Sequence, residues 1–324
     1  MSKINLIDNI KSYLTMLREM TYVNRYEWHV ALRKRGKTLY EKNGSGFVTV
    51  PNNWRYWRAD PFLFRHDCRE YLFVEMYDRW QEKGVIGVAR IRGEKCGRFR
   101  VCLELPWHLS YPCVFEDESG IHLVPESSSS GELWMYRCRQ FPMKWEKERC
   151  IAKETVADAT PLATEQGRFW FATKSTSKGM LDNDNLAVCQ EGKLPGDFEY
   201  VIREDTAARP AGHFIQTESG LLRPSQNCTD TYGGNLEFRR VEGVSQSYAE
   251  EKILEIVAPG MKAANDCIEV SCTPSIGTGY AGIHTYNINE EYEVIDLKYR
   301  GGRSVICLLK NLKRHYFSKW KERG

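Results

Sequence analysis

The chain has 324 residues, 42% hydrophobic and 27% charged, the balance of an ordinary folded domain with room for one large unit or two smaller ones. Its net charge of +3 is too small to argue for nucleic acid, so no nucleic-acid partner is expected, and no run of 18 apolar residues is present to form a spanning helix. The opening "MSKINLIDNIKSYL" interrupts its apolar positions with Asp8, Asn9 and Lys11, so it does not read as a secretory signal. Eleven cysteines, odd in number and never in C-x-x-C spacing, read as buried thiols in a reducing cytosol.

The first predicted element is an amphipathic helix over 4–20, with Ile4, Ile7, Ile10, Leu14 and Leu17 on one stripe. A strand, "YEWHVALR" (26–33), follows. Then comes a repeat: "ADPFLFRHDCREYLFVEM" (59–76), "SYPCVFEDESGIHLVPES" (110–127), "ATPLATEQGRFWFATK" (159–174) and "ARPAGHFIQTESGLLRPSQN" (208–227). Each has a proline, a short strand, a polar turn and a second strand. Pro61, Pro112, Pro161 and Pro210 stand 51, 49 and 49 residues apart. Third strands follow at 84–91, 131–138, 185–190 and 234–241, and fourth strands at 99–105, 149–155, 198–204 and 252–257.

Four antiparallel strands per roughly 50-residue unit is the pattern of a propeller blade. The runs 281–289 and 292–299 are expected as the third and fourth strands of a further unit, with 26–33 free to pair across the seam. The expected fold is therefore all-β: a five-bladed β-propeller over 26–300, with short N- and C-terminal helices over 1–25 and 301–324. The prolines would mark the starts of the innermost strands. Asp60 then stands beside the axis, and aligning on the prolines gives Tyr111, Thr160 and Arg209 as its equivalents.

The ordered motifs "ADPFLF", "YLFVEM", "HLSYPCVFEDESGIHLVPES", "FPMKW", "DATPL", "RPSQN", "YGGNLEF" and "GIHTYN" resemble one known domain. It is the propeller-like N-terminal domain of plant glucosamine inositolphosphorylceramide transferases and of bacterial surface-polysaccharide proteins. The resemblance covers roughly residues 26 to 300. It implies glycosyl transfer onto a surface-glycan or glycolipid acceptor, with the separate glycosyltransferase domain of the plant enzymes expected to be missing here. A more distant likeness, to five-bladed glycoside hydrolases of the arabinanase and xylosidase type, implies a base at Asp60, a second carboxylate at Asp158 and an acid at Glu126. Those hydrolases do not usually place the acid on the second blade.

Both reaction types need carboxylates around an oxocarbenium-like centre. Glu75 and Glu126 each lie 14 residues after their proline, so Asp60, Glu75, Glu126 and Asp158 are the candidate catalytic set, against the alternative of solvated or arginine-paired carboxylates. Arg209, Arg223 and Lys174 fall at channel-side positions of the same alignment, where they could clamp a carboxylated sugar or a donor phosphate. An ion pair with an axial carboxylate is the other reading. His108, Tyr111, His284, Gln226 and Trp57 complete the candidate substrate contacts; Trp57 would offer a ring for sugar stacking or a place in a blade interface. No metal motif and no P-loop is present, so no metal is assigned and the cofactor stays open, a nucleotide-sugar donor being the natural candidate.

The tail over 303–324 carries Lys310, Lys313, Arg314, Lys319, Lys321 and Arg323, with Leu308, Leu309, Leu312, Tyr316, Phe317 and Trp320 at helical spacing. It suits peripheral contact with an anionic inner membrane face or packing on the propeller. A cytoplasmic glycosyltransferase is the favoured reading. A glycosidase and a non-catalytic glycan- or nucleotide-sugar-binding module are the alternatives.

Overall fold

The computed structural model describes residues 12–17, 26–36, 46–175, 183–192, 195–244, 247–261, 267–273, 279–301 and 305–321. Five sheets, antiparallel except at the outer edges of two of them, succeed one another around an axis, forming a five-bladed β-propeller. Blade one holds Tyr56–His66, Arg69–Asp78 and Lys83–Arg92, with Arg100–Leu103 and Lys95–Cys96 outside. Blade two holds Ser110–Asp117, Gly120–Glu126, Leu133–Gln140 and Lys144–Ala152. Blade three holds Val156–Thr164, Gly167–Lys174, Leu186–Gln190 and Glu199–Ile202. In blade four the inner strand is broken into Arg209–Pro210 and Ile215–Thr217; outside it lie Gly220–Asn227, Asn235–Glu242, Ala249–Val257 and, in parallel, Cys267–Glu269.

The second strand of blade one shows why these residues make blades. Side chains alternate between the two faces of a strand. Phe73 enters a core shared with blade two, while Leu72, Val74 and Met76 enter another shared with blade five. Both alternate sets are apolar because both faces are covered. Among the described residues five hydrophobic clusters fall one at each junction between neighbouring blades, and a smaller sixth packs Trp28, Trp57 and Ala59 together. Each fully buried large side chain contributes about 1.5–3 kcal/mol, so stability is spread over five interfaces.

Blade five corrects the strand order expected from sequence. Tyr280–Ile288 is its innermost strand and Tyr292–Arg300 its second, not the third and fourth. The third is Tyr26–Lys34, paired antiparallel with Tyr292–Arg300 from Tyr26↔Arg300 to Lys34↔Tyr292. Phe47–Thr49 and Cys272–Thr273 complete the sheet. The N-terminal strand thus closes the ring, and a buried Arg33–Glu293 ion pair of 2.8 Å locks the seam.

The prolines also sit differently. Pro61 and Pro112 lie within their strands, at β-bulges where pairing skips from Ala59 to Phe62 and from Ser110 to Cys113. A bulge tolerates proline because the ladder is already interrupted there. In blade three the skip runs from Ala157 to Thr160, so Asp158, not Thr160, is the structural equivalent of Asp60. By the same register Thr173, not Lys174, matches Glu75 and Glu126.

Of the expected N-terminal helix, residues 12–17 are helical, and the rest of 4–20 lies outside the described residues. The tail forms a helix over Val305–Lys321. Ile306 is buried, Lys310 reaches Glu82 at 2.9 Å, and Val305 and Leu309 are exposed. The side chains of Arg314, Tyr316, Phe317, Lys319, Trp320 and Lys321 lie outside the described set, as does Arg323 altogether.

Candidate active site

Bulges turn the chain so that a side chain is re-aimed, here toward the axis. Asp60, Tyr111 and Asp158 hold the bulge positions of blades one to three with φ of 48°, 42° and 56°. The corresponding skip in blade five, from Ile283 to Tyr286, presents His284 and Thr285. The four elements meet in one hydrogen-bonded cluster.

Asp296 is its hub. Its Oδ1 accepts the His284 and Thr285 backbone N–H groups at 3.2 and 3.0 Å and faces His284 Nδ1 at 2.8 Å. Its Oδ2 accepts the Asp60 N–H at 2.8 Å. Asp60 in turn accepts the Tyr111 N–H at 3.0 Å on Oδ2 and the Thr285 hydroxyl at 3.0 Å on Oδ1, with His284 Nε2 3.5 Å away. Burial pushes the Asp60 carboxyl up to about 6, against the pull of His284 and with the repulsion of Asp296 and Asp158. Burial opposes charge on His284, yet Asp296 and Asp60 outweigh it and hold the imidazole above its ordinary value. Trp28 stacks on that imidazole, ring centroids 3.7 Å apart, and Tyr232 stands edge-on to both rings. Gly233 makes this possible: at φ +59°, a Cβ there would lie 2.7 Å from the Trp28 ring.

On the next side of the axis, Asp158 Oδ2 accepts Arg209 Nε at 2.6 Å and Gln226 Nε2 at 2.9 Å. Arg209 also donates to Asn183 and lies over Tyr232. Tyr111 crosses the axis: its hydroxyl accepts the Gly212 N–H at 2.7 Å and pairs with Thr160 at 2.8 Å. It closes the cluster from one side as a buried structural residue.

Glu75 and Glu126 occupy matching register positions opposite Ala59 and Ser110. They differ in environment. Glu126 accepts the Ser110 hydroxyl at 2.8 Å and the Ser128 N–H at 2.9 Å. Glu75 is 5% exposed, its Oε1 lacks a hydrogen-bond partner among the described residues, and the half-exposed His108 stands 3.5 Å away. Burial, reinforced by Asp60, Glu126, Asp296 and Asp158, holds the Glu75 carboxyl well above the usual range, toward its neutral form. His108 is pushed down by burial. Besides Glu75 Oε1, the buried Gln226 Oε1 and Trp57 Nε1 are without a hydrogen-bond partner among the described residues. Native folds rarely leave such atoms unpaired, which marks them as contacts for a ligand or water. Trp57 lies stacked on Tyr77 at 4.6 Å.

Two sequence candidates stand apart. Arg223 is buried with both arms of its guanidinium on Glu250 and a third bond to the Ala208 carbonyl. Lys174 is held by Glu154 at 2.6 Å and the Phe198 carbonyl at 2.9 Å, beside the outer strand of blade three. Both ride on strands whose neighbouring residues face the axis, and the alternation of side chains carries them off it. Asp296, Thr285, Trp28 and Tyr232 escaped sequence reasoning. Each stands inside a run singled out in the sequence, "YEVIDLKY", "GIHTYN", "YEWHVALR" and "YGGNLEF", but nothing local to those runs marks it as part of the cluster. For a cation, Asp60, His284 and Asp296 offer three ligand atoms within 4.8 Å of one another, although His284 Nδ1 and Asp296 already face each other at hydrogen-bond distance.

Residues 47–267 match the family model described as glucosamine inositolphosphorylceramide transferase 1, N-terminal. The chain belongs to this family. It is 31% identical over 203 residues to glucosamine inositolphosphorylceramide transferase 1 of Oryza sativa subsp. japonica, a match covering 60% of this chain and 27% of the rice protein. The Arabidopsis thaliana protein of the same name is 29% identical over 215 residues, covering 63% and 28%. The chain therefore spans just over a quarter of these relatives' length. Among solved structures, the catalytic domain of the Coprinopsis cinerea GH62 alpha-L-arabinofuranosidase aligns with a TM-score of 0.52 at 12% identity, over 87% of this chain and 99% of that one. The Podospora anserina alpha-L-arabinofuranosidase in complex with cellotriose gives 0.53 at 11%, over the same shares. These two likenesses establish the shared propeller fold.

Proposed function

We propose that the protein is a carbohydrate-active enzyme that transfers a sugar onto a surface-glycan or glycolipid acceptor at its propeller axis. The observation that carries this reading is the contrast between two neighbouring carboxyls. Glu75 is driven toward its neutral form and has an unbonded oxygen, whereas Asp60, at about 6, is ionised at neutral pH. Such a pair separates acid from base. The bond from the anomeric carbon to its leaving oxygen breaks while the acceptor oxygen bonds that carbon. Asp60 takes the acceptor's proton, and Glu75 gives its own to the leaving oxygen. Gln226 Oε1 and Trp57 Nε1 supply an acceptor and a donor for sugar hydroxyls. The names of the plant relatives support glycosyl transfer onto a glycolipid as the class.

Eleven free thiols support a cytoplasmic setting. Exposed Tyr26, Trp54, Trp80 and Tyr232 all lie at the propeller face where the second strands end, the face that also carries the C-terminal helix. Aromatic rings and a basic helix on one face support peripheral contact with a membrane bearing the acceptor.

A non-catalytic binding module is the second reading, favoured by the hydrogen bonds already made by Asp60, Asp158 and Glu126. The test is incubation with a panel of labelled nucleotide sugars, with and without lipid and glycan acceptors, alongside aryl glycosides. Acceptor-dependent transfer that Glu75→Gln and Asp60→Asn each reduce by about 100-fold supports the enzyme. Sugar release from aryl glycosides alone makes it a hydrolase. Binding that survives both substitutions without turnover makes it a module.

A further inference from the structure

Between the connection leading out of blade five and the outer strands of blade one lies a cavity of about 670 Å³. It shares no lining residue with the axial cluster. Arg58 and Met76, cross-strand partners, point into it from the opposite face to Ala59 and Glu75. Arg58 is 5% exposed, so its guanidinium is withdrawn from water. Its Nη1 donates to the Pro51 carbonyl at 2.7 Å, and its centre sits 4.3 Å over the Phe99 ring. Among the described residues its Nε has no partner and no carboxylate pairs with it. Arg98 and Arg100 line the same cavity and are exposed; among the described residues they make no ion pair and no Asp or Glu lines the cavity.

A buried cation without a paired carboxylate is costly, and a counter-charge arriving from outside the fold would offset that cost. Three guanidinium groups beside an aromatic ring and Tyr56 suit one chemistry above others. Planar N–H forks match the oxygens of a phosphoryl group, which they bind in pairs. We infer that this cavity is a second ligand site, taking a phosphate or pyrophosphate group on Arg58 with Arg98 and Arg100 at its mouth. The remainder of the ligand lies against Phe99 and Tyr56. This site is independent of the axial chemistry, and it holds whether the axis catalyses or only binds.

The test is thermal-shift and calorimetric titration of the full chain with inorganic pyrophosphate, against sodium chloride at matched ionic strength. A pyrophosphate-specific rise in the unfolding midpoint is expected. Arg58→Met should abolish it while leaving the ligand-free midpoint at or above that of the parent, because the substitution removes an unpaired buried charge. Arg100→Gln, on an exposed side chain that cannot disturb the core, should weaken binding by about tenfold. Asp60→Asn should bind pyrophosphate as the parent does, which separates this site from the axis. No response beyond the salt control, or a response that survives both arginine substitutions, overturns the inference.

Discussion

Replacing Glu250 by Gln tests whether Arg223 belongs to the scaffold. Glu250 receives both arms of Arg223 at 2.7 and 2.8 Å, the Tyr248 hydroxyl at 2.5 Å and Arg239 at 2.9 Å. Although burial opposes its charge, Arg223 and these donors bring its carboxyl down from 4.5 to about 2. That difference corresponds to about 3 kcal/mol of native-state stability, in line with the roughly 3–5 kcal/mol lost when a buried pair is left with one partner. Because the folded pKa is depressed, the contribution is fully present above pH 4.5 and is lost as pH falls through about 2. Glu250→Gln should therefore cost about 3 kcal/mol at pH 7 and only about 1.4 kcal/mol at pH 3. Urea denaturation followed by tryptophan fluorescence at the two pH values measures both. Ligand binding at the axis should be unchanged. A cost below about 1 kcal/mol at pH 7, or one that does not shrink toward pH 3, refutes the assignment of Arg223 to a structural ion pair.

Turnover in the assay above should rise with pH through an acid limb near 6, where Asp60 ionises, and Asp60→Asn should lack that limb; a limb near 4 contradicts the environment described for this carboxyl. Gly233→Ala forces a side chain into a left-handed backbone 2.7 Å from Trp28. It should lower axial ligand affinity by about tenfold or more in calorimetry, and unchanged affinity would show that the Trp28–His284 stack is dispensable. Leu309→Asp on the exposed face of the C-terminal helix should abolish flotation with phosphatidylserine vesicles without lowering the unfolding midpoint. Equal flotation of parent and variant would remove that helix from membrane contact.

The sequence by itself determined the periodic architecture. Prolines 49 to 51 residues apart, each leading a hairpin, specify four like sheets, because bulged inner strands and polar turns recur wherever a blade recurs. It also offered Asp60, Glu75, Glu126 and Asp158 as candidates on inner and second strands. Arg223 and Lys174 ride on second strands too but pair with Glu250 and Glu154 instead, so strand membership did not separate the two groups. Only the tertiary structure decided what surrounds them. A bulge shifts register without leaving a fixed residue type behind, so blade three's axial residue is Asp158 two places before the expected Thr160, and Lys174 gives way to Thr173. The fifth blade joins strands from both chain ends, more than 200 residues apart, so Tyr280–Ile288 could be recognised as innermost, and Asp296 as the hub beneath Asp60 and His284, only once the ring was closed. Periodicity is written in local spacing; the partner of a buried charge is set by which blade stands next to it.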